Sequence, residues 1–400
     1  IKNCEFFYNT YNIKLNIMKR TFLLLILFFI AKIGISADIS STALGGNWSN
    51  PATWVGGIVP GSGDNVTIVN GANVTIDQDV TISNLLIDGT LIIGNDATPR
   101  IITINGTTSI SASGSFSVAS FDITHSVTFK GNITNNGVLN FYNSSSQSAD
   151  AIFEGTIAIN GSNSPTFGKI TINTGTTTAD LGLTIRGALI IENAATLASG
   201  TYTHYVYGNF SRNGTGQMTG NSTIVMNSAQ IQSITTTATF YNLTFAGGGT
   251  GVIGANITVT NNFSITDNTK VQTSQNHIFQ RNFTVDNGSI YEASAGRATF
   301  NSGTQTQTIT VGITNSQPNT TFFEFYLDNG TTVNPKTING GLTVNNSFYL
   351  YNDAVVNDNN TTHTFNGSLF INGTCNFGGT LFLTNGTLYD NQDYDFNLGN

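Results

Sequence analysis

Charge is what this sequence has least of. Asp, Glu, Lys and Arg make up 9% of its 400 residues, against about a quarter in ordinary globular domains. Asn, Thr, Ser and Gly fill those places, so water-facing positions are polar but uncharged. Basic residues are scarcest. Five of the 14 Lys and Arg precede Asp38, leaving nine against 21 Asp and Glu in the rest of the chain. Nucleic-acid binding needs a concentrated basic footprint. None is present, so nucleic acid is excluded as a partner. Cysteine is nearly absent, with Cys4 and Cys375 alone. Cys4 precedes the expected mature start, and one remaining thiol makes no internal disulfide. Stability must therefore come from packing and backbone hydrogen bonds. Disorder is excluded as well, because a hydrophobic fraction of 39% supports a continuous core.

Catalytic constellations are also missing. There is no GxSxG, HExxH, P-loop or repeat-in-toxin calcium nonapeptide. Glycoside cleavage needs two carboxylates facing each other across a defined gap, and local spacing offers no such pair. Asp77 and Asp79 are expected on one face of a strand. Calcium held with backbone oxygens is one use for them; a solvated strand face is the plainer one. No other cofactor and no transition metal is expected.

What is present is repetition. The four histidines, His125, His204, His277 and His363, recur at 79, 73 and 86 residues. Three open one phrase: His204-Tyr-Val-Tyr-Gly-Asn-Phe, His277-Ile-Phe-Gln-Arg-Asn-Phe and His363-Thr-Phe-Asn-Gly-Ser-Leu. Thr166-Phe-Gly-Lys-Ile-Thr-Ile returns as Thr239-Phe-Tyr-Asn-Leu-Thr-Phe and, more loosely, at Thr321. Leu183-Thr-Ile returns as Ile257-Thr-Val and Leu342-Thr-Val. Arrays of this kind build long surfaces before they build active sites. Equivalent histidines several coils apart cannot share an ion whose donors sit about 2 Å from one centre. The histidines therefore read as turn residues satisfying backbone groups once per unit.

Between these phrases run short alternating bursts such as Val66-Thr-Ile, Val74-Thr-Ile and Ile101-Ile-Thr-Ile, separated by Asn-Gly and Gly-Asn pairs. This is period-two strand patterning with turn chemistry between, and no helical period follows residue 40. Bursts begin near Val206, Thr223, Thr239, Ile257 and Ile278. That spacing is too long for a sandwich array, whose turns come every 8–12 residues or so. The expected fold is all-β: a right-handed parallel β-helix, or β-solenoid, with an N-terminal capping segment. Some 15 coils at ~4.8 Å give a rod of about 70 Å. Phe210 with Phe283, and Phe263 with Phe348, read as buried aromatic stacks.

Along the chain, 1–17 precedes Met18 and is set aside as an upstream segment. Residues 18–37 read as a signal peptide, with Lys19 and Arg20, the apolar run Phe22–Ile30 and small residues at Gly34, Ser36 and Ala37. Residues 38–125 form an N-terminal β region and 126–400 the repeats. With no capping signal at the end, the protein is expected to continue beyond residue 400.

One segment is more specific. Trp48-Ser-Asn-Pro-Ala-Thr-Trp54 leads through Pro60-Gly-Ser-Gly-Asp64-Asn-Val-Thr-Ile68 to Gly71, Val74-Thr-Ile-Asp77 and Leu85-Leu-Ile-Asp-Gly89. Over about residues 44–95 this resembles the eight-glycine domain of extracellular proteins, in the form that opens large repetitive surface proteins of Gram-negative bacteria. The repeats behind it are similar to the adhesin-like secreted regions that accompany the domain. The resemblance implies export, attachment to the outer membrane through a sorting domain beyond residue 400, and a module that is mostly non-catalytic. Some parent proteins act on glycans such as hyaluronan. Trp48 and Trp54 read as a cap over the open end of the first coil, the functional alternative being an exposed pair that stacks on sugar rings.

The function expected is thus a secreted or cell-surface structural and adhesive rod, binding glycans or surface polymers at many weak sites. The rivals are a polysaccharide lyase or hydrolase on the same scaffold, and a passive stalk for a domain beyond residue 400. A non-enzyme is favoured, because clustered charged groups are scarce in the repeats.

Overall fold

The computed structural model describes residues 36–94, 96–302, 305–314, 317–328, 335–351, 356–358, 361–372, 375–377, 380–390 and 396–398, together with Lys19 and Arg20. The upstream segment and nearly all of the signal-peptide segment lie outside the described residues. Among the described residues from Asp38 onward the elements are strands apart from one 3-10 turn, Pro51–Thr53. They stack as parallel sheets in a β-solenoid of about 14 turns. Consecutive coils pair some 20 residues apart, as in Leu243↔Phe263 and Phe263↔Phe283. At the usual inter-strand spacing the rod is on the order of 70 Å long.

Each coil visits three sides in a fixed order. The first side runs from Asp38–Ser40 through Asn65–Ile68 and Leu85–Ile87 to Gln217–Thr219. The second starts at Gly46–Asn47 and Asn73–Ile76 and runs on to Phe396–Leu398. The third starts at Val80–Ile82 and Ile101–Ile104. After Thr219 the first side breaks. Its next strand, Ala238–Phe240, pairs forward with Ile257–Val259 and has no ladder to Gln217–Thr219. Further on, third and first sides fuse into the long strands Thr320–Asp328 and Thr343–Leu350.

Alternation explains the core. Each Val/Ile-Thr-Val/Ile burst turns its branched residues inward and its threonine outward: in Asn73–Ile76, Val74 and Ile76 are buried while Asn73 is exposed. One continuous core results, running from Ile39 to Ile371. The four phenylalanines are internal as expected, but their partners differ. Phe263 stacks on Phe283 (5.1 Å, 16°), Phe210 contacts Phe240 (5.1 Å) and Phe348 stacks on Phe325 (5.4 Å, 11°).

The regrouping has a geometric cause. A recurrence of 73 residues is three coils of about 20 plus part of a fourth, so a repeated phrase moves to another side each time. Thr166–Phe167 lies on the second side, Thr239–Phe240 on the continuation of the first, and Thr321–Phe322 on the third. The Leu183, Ile257 and Leu342 phrases step round in the same order. The repeat copies the local strand–corner–strand pattern, not a position in the cross-section.

Corners are built from glycine and asparagine. Gly89, Gly114 and Gly137 stack at one corner, where a Cβ on Gly114 would overlap the Ile87 carbonyl and one on Gly137 the Gly114 carbonyl. Only glycine lets successive backbones approach that closely. Asparagine links coils through its side-chain oxygen. Asn84 accepts from the Thr107 amide (2.7 Å), Asn209 from Ser233 (2.8 Å), Asn282 from Thr308 (3.1 Å) and Asn287 from Ile313 (2.9 Å). The asparagine richness of the sequence is therefore a coil-to-coil hydrogen-bond ladder of the kind that satisfies backbone donors at bends.

Candidate functional site

Trp48 and Trp54 sit at the N-terminal end on either side of the 3-10 turn, which Asn50 caps by accepting from the Ala52 amide (3.0 Å). The rings meet edge to face at 4.7 Å and 72°, and the Trp54 indole donates to the Trp48 carbonyl (2.7 Å). Both are almost fully buried, at 1% and 2% exposure, and belong to the core. Sugar stacking needs an open ring face, and neither indole offers one in this conformation. The sugar-stacking alternative is corrected accordingly: the rings close the core.

Asp77 and Asp79 lie between the strands Asn73–Ile76 and Val80–Ile82, not on a strand face as expected. The Asp77 carboxylate accepts from the Ser49 amide (2.9 Å) and hydroxyl (2.6 Å), and Asp79 accepts from the Ile101 amide (2.9 Å). Each ties its corner to a different neighbouring coil. Among the described residues no three His, Cys, Asp or Glu side chains converge in a way that could hold a metal ion.

The histidines are not turn residues. All four are buried on strands: His125 in Ile123–Phe129, His204 in Thr203–Val206, and His277 and His363 as first residues of theirs. What they share is one interaction. Nδ1 of His125, His204, His277 and His363 accepts the amide N–H of Arg100 (3.0 Å), Leu183 (3.2 Å), Ile257 (3.4 Å) and Leu342 (3.0 Å), each one coil back. An Nδ1 that accepts carries no proton, so these rings are neutral with the proton on Nε2. Nε2 of His204 then donates to the Ser199 carbonyl (2.8 Å), and Nε2 of His277 meets the Thr273 hydroxyl (2.7 Å). Burial pushes His204 below the ordinary histidine range and His277 down to about 4. Desolvation, then the Arg100 guanidinium, lowers His125. Their backbone-satisfying role was legible; their place on strands was not.

Two glutamines were not singled out from the sequence. Gln232 and Gln307 are buried, and each donates through Nε2 to two carbonyls one coil back: Val206 and Gly208 (2.8 and 3.0 Å), and Phe279 and Arg281 (2.7 and 2.6 Å). The signal was available, since both lie in Gln-x-Gln-x-Ile-Thr, starting at Gln230 and Gln305. Lys336 stacks on Gln307, donating to its oxygen at 2.9 Å, and burial lowers the ammonium to about 8.

The outer surface carries columns, not pockets of charge. Thr81, Thr103 and Thr128 run up the third side in register, and Thr244, Ser264, Thr284, Thr310 and Asn339 up the second. The column Thr239, Thr258, Ile278, Thr299 changes character and continues as Tyr326, Tyr349, Phe370 and Tyr389. Those rings stack on one another at 4.1–4.7 Å, with the Arg297 guanidinium 3.8 Å over Tyr326. Their faces are occupied by each other, so the row presents ring edges outward.

Comparison with known proteins finds a match over part of the chain. No curated protein and no solved structure matches. Residues 53–171 match the G8 domain, a longer stretch than the 44–95 on which the resemblance rested, and one that contains the Gly89–Gly114–Gly137 corner. A G8 segment continuous with a β-solenoid fits an extracellular or surface protein of structural kind.

Proposed function

We propose that this chain is a secreted or cell-surface rod that is structural and adhesive, engaging glycans or surface polymers at many equivalent weak sites. The observation that carries the reading is the columns of uncharged hydroxyl and amide groups, renewed at each coil along a rigid core. Each such group offers one or two hydrogen bonds, worth about 1 kcal/mol apiece at most in water. Useful affinity then requires simultaneous engagement, as in any multivalent contact.

Immobilised polysaccharide should therefore retain the chain far better than the corresponding soluble oligosaccharide. Retention should change little between low and high salt, because few ion pairs are there to be screened. A polysaccharide panel incubated with the protein should release no reducing ends or unsaturated products. Turnover abolished by one Asp or Glu substitution would replace this reading with that of a lyase or hydrolase on the same scaffold.

A further inference from the structure

Where the first side breaks between Gln217–Thr219 and Ala238–Phe240, the missing ladder leaves a cavity of about 290 Å³ lined by Phe210, Arg212, Gln217, Met218, Ala238 and Thr239. Phe210 and Ala238 are buried and mark its deep end; Gln217 and Thr239 are exposed and mark its mouth. The volume is at the small end for ligand sites, room for one sugar-sized ring.

Arg212 distinguishes this gap. Of the nine basic side chains after Asp38, five pair with carboxylates. Arg186 lies over the Tyr207 ring at 4.2 Å, Arg281 donates to Asn261, and Lys336 donates to Gln307. Arg212 instead donates through Nε to the Thr237 carbonyl (2.9 Å) and through Nη1 to the Gly216 carbonyl (2.8 Å). Those bonds fix its plane without neutralising it, and Nη2 has no partner among the described residues. The nearby Glu192 carboxylate accepts from Asn213 (2.7 Å) and does not line the cavity.

We infer that this cavity binds a single carboxylate carried on a ring-sized body, with the carboxylate on the Arg212 guanidinium and the ring against Met218 and the deep apolar wall. A planar guanidinium held at two of its nitrogens keeps Nη2 free as a directional charged donor group, which suits a carboxylate. A dianion would need a second cation, and none lines the site. The inference is independent of the adhesive reading, because it rests on a break in the columns rather than on the columns.

The test is calorimetric titration of the full chain with three probes: D-galacturonate, benzoate and neutral D-galactose. Saturable one-to-one binding of galacturonate marks a uronate site; binding of benzoate alone marks a site for free aromatic acids. Either supports the inference, and D-galactose should not bind. Arg212→Gln should weaken binding about tenfold or more, the usual loss for a hydrogen bond to a charged group. Arg212→Lys should weaken it less. Thr239→Trp, at the exposed mouth, should block binding while leaving the Arg212 bonds to the backbone intact, which separates occlusion from misfolding. Binding of neither acid, equal binding of D-galactose, or affinity unchanged in Arg212→Gln would overturn it.

Discussion

Replacing Phe283 by alanine should destabilise the middle of the rod by about 3–5 kcal/mol, the usual cost of emptying a buried aromatic site. Phe283 is fully buried and touches five rings: Phe263, Phe279, Tyr291, Phe300 and Phe322, with centroids 5.0–5.6 Å away. These neighbours come from the coils on either side as well as its own, so no small movement closes the hole. In a one-dimensional stack each coil is held by its neighbours. Amide exchange should therefore accelerate around residues 257–327 and stay slow in the first coils, near Val66 and Leu91. Phe283→Leu keeps most of the volume and should cost far less. Uniform acceleration along the whole chain would show that the coils do not behave as nearest-neighbour units.

The second large effect is on pH. His277 accepts a backbone N–H on Nδ1 and is lowered to about 4, chiefly by burial. In the unfolded chain it titrates near the ordinary histidine value of 6.5. Between these values the unfolded state binds a proton that the folded state refuses. The stabilisation is therefore complete above about pH 6.5 and is lost as pH falls toward 4. The difference corresponds to about 3 kcal/mol for this one ring. His204 is lowered by the same cause and adds in the same direction. Carboxylates held low by partners act further down: Glu292, bonded by Lys270 and Gln272, is held below the ordinary glutamate value of 4.5. The interval from pH 6.5 to 4.5 thus belongs to the histidines. Urea denaturation across it should show stability falling steadily, with a shallower slope in His277→Gln and no change in metal content. A flat profile, or loss of a tightly bound transition metal on substitution, would contradict the backbone-acceptor role.

How much of this was legible in the sequence follows from which interactions are local. The Val/Ile-Thr-Val/Ile bursts gave strands, inward branched residues and outward threonines, because alternation is written in neighbouring positions. The parallel stack followed from the spacing of those bursts. Which phrase meets which was not legible. A 73-residue recurrence invites stacking of Phe210 on Phe283, yet coils of about 20 residues bring Phe263 onto Phe283. Coil length depends on corner lengths, and corners made of Asn, Gly and Ser set no length by themselves. The Arg212 cavity was invisible for the same reason, since it exists only because two strands fail to pair. The Trp48–Trp54 cap lies at the other extreme: two indoles flanking Pro51 are close in sequence and meet directly in space.

The central claim is the parallel β-solenoid rod, and small-angle scattering on residues 38–400 with far-ultraviolet circular dichroism tests it most directly. The account predicts a strand spectrum with almost no helix. The scattering should be that of a rod, with a well-defined cross-section and a maximum dimension on the order of 70 Å from stacked coils at ~4.8 Å. A near-spherical particle, with a symmetric distance distribution and no separate rod cross-section, or a spectrum with substantial helix, would contradict it.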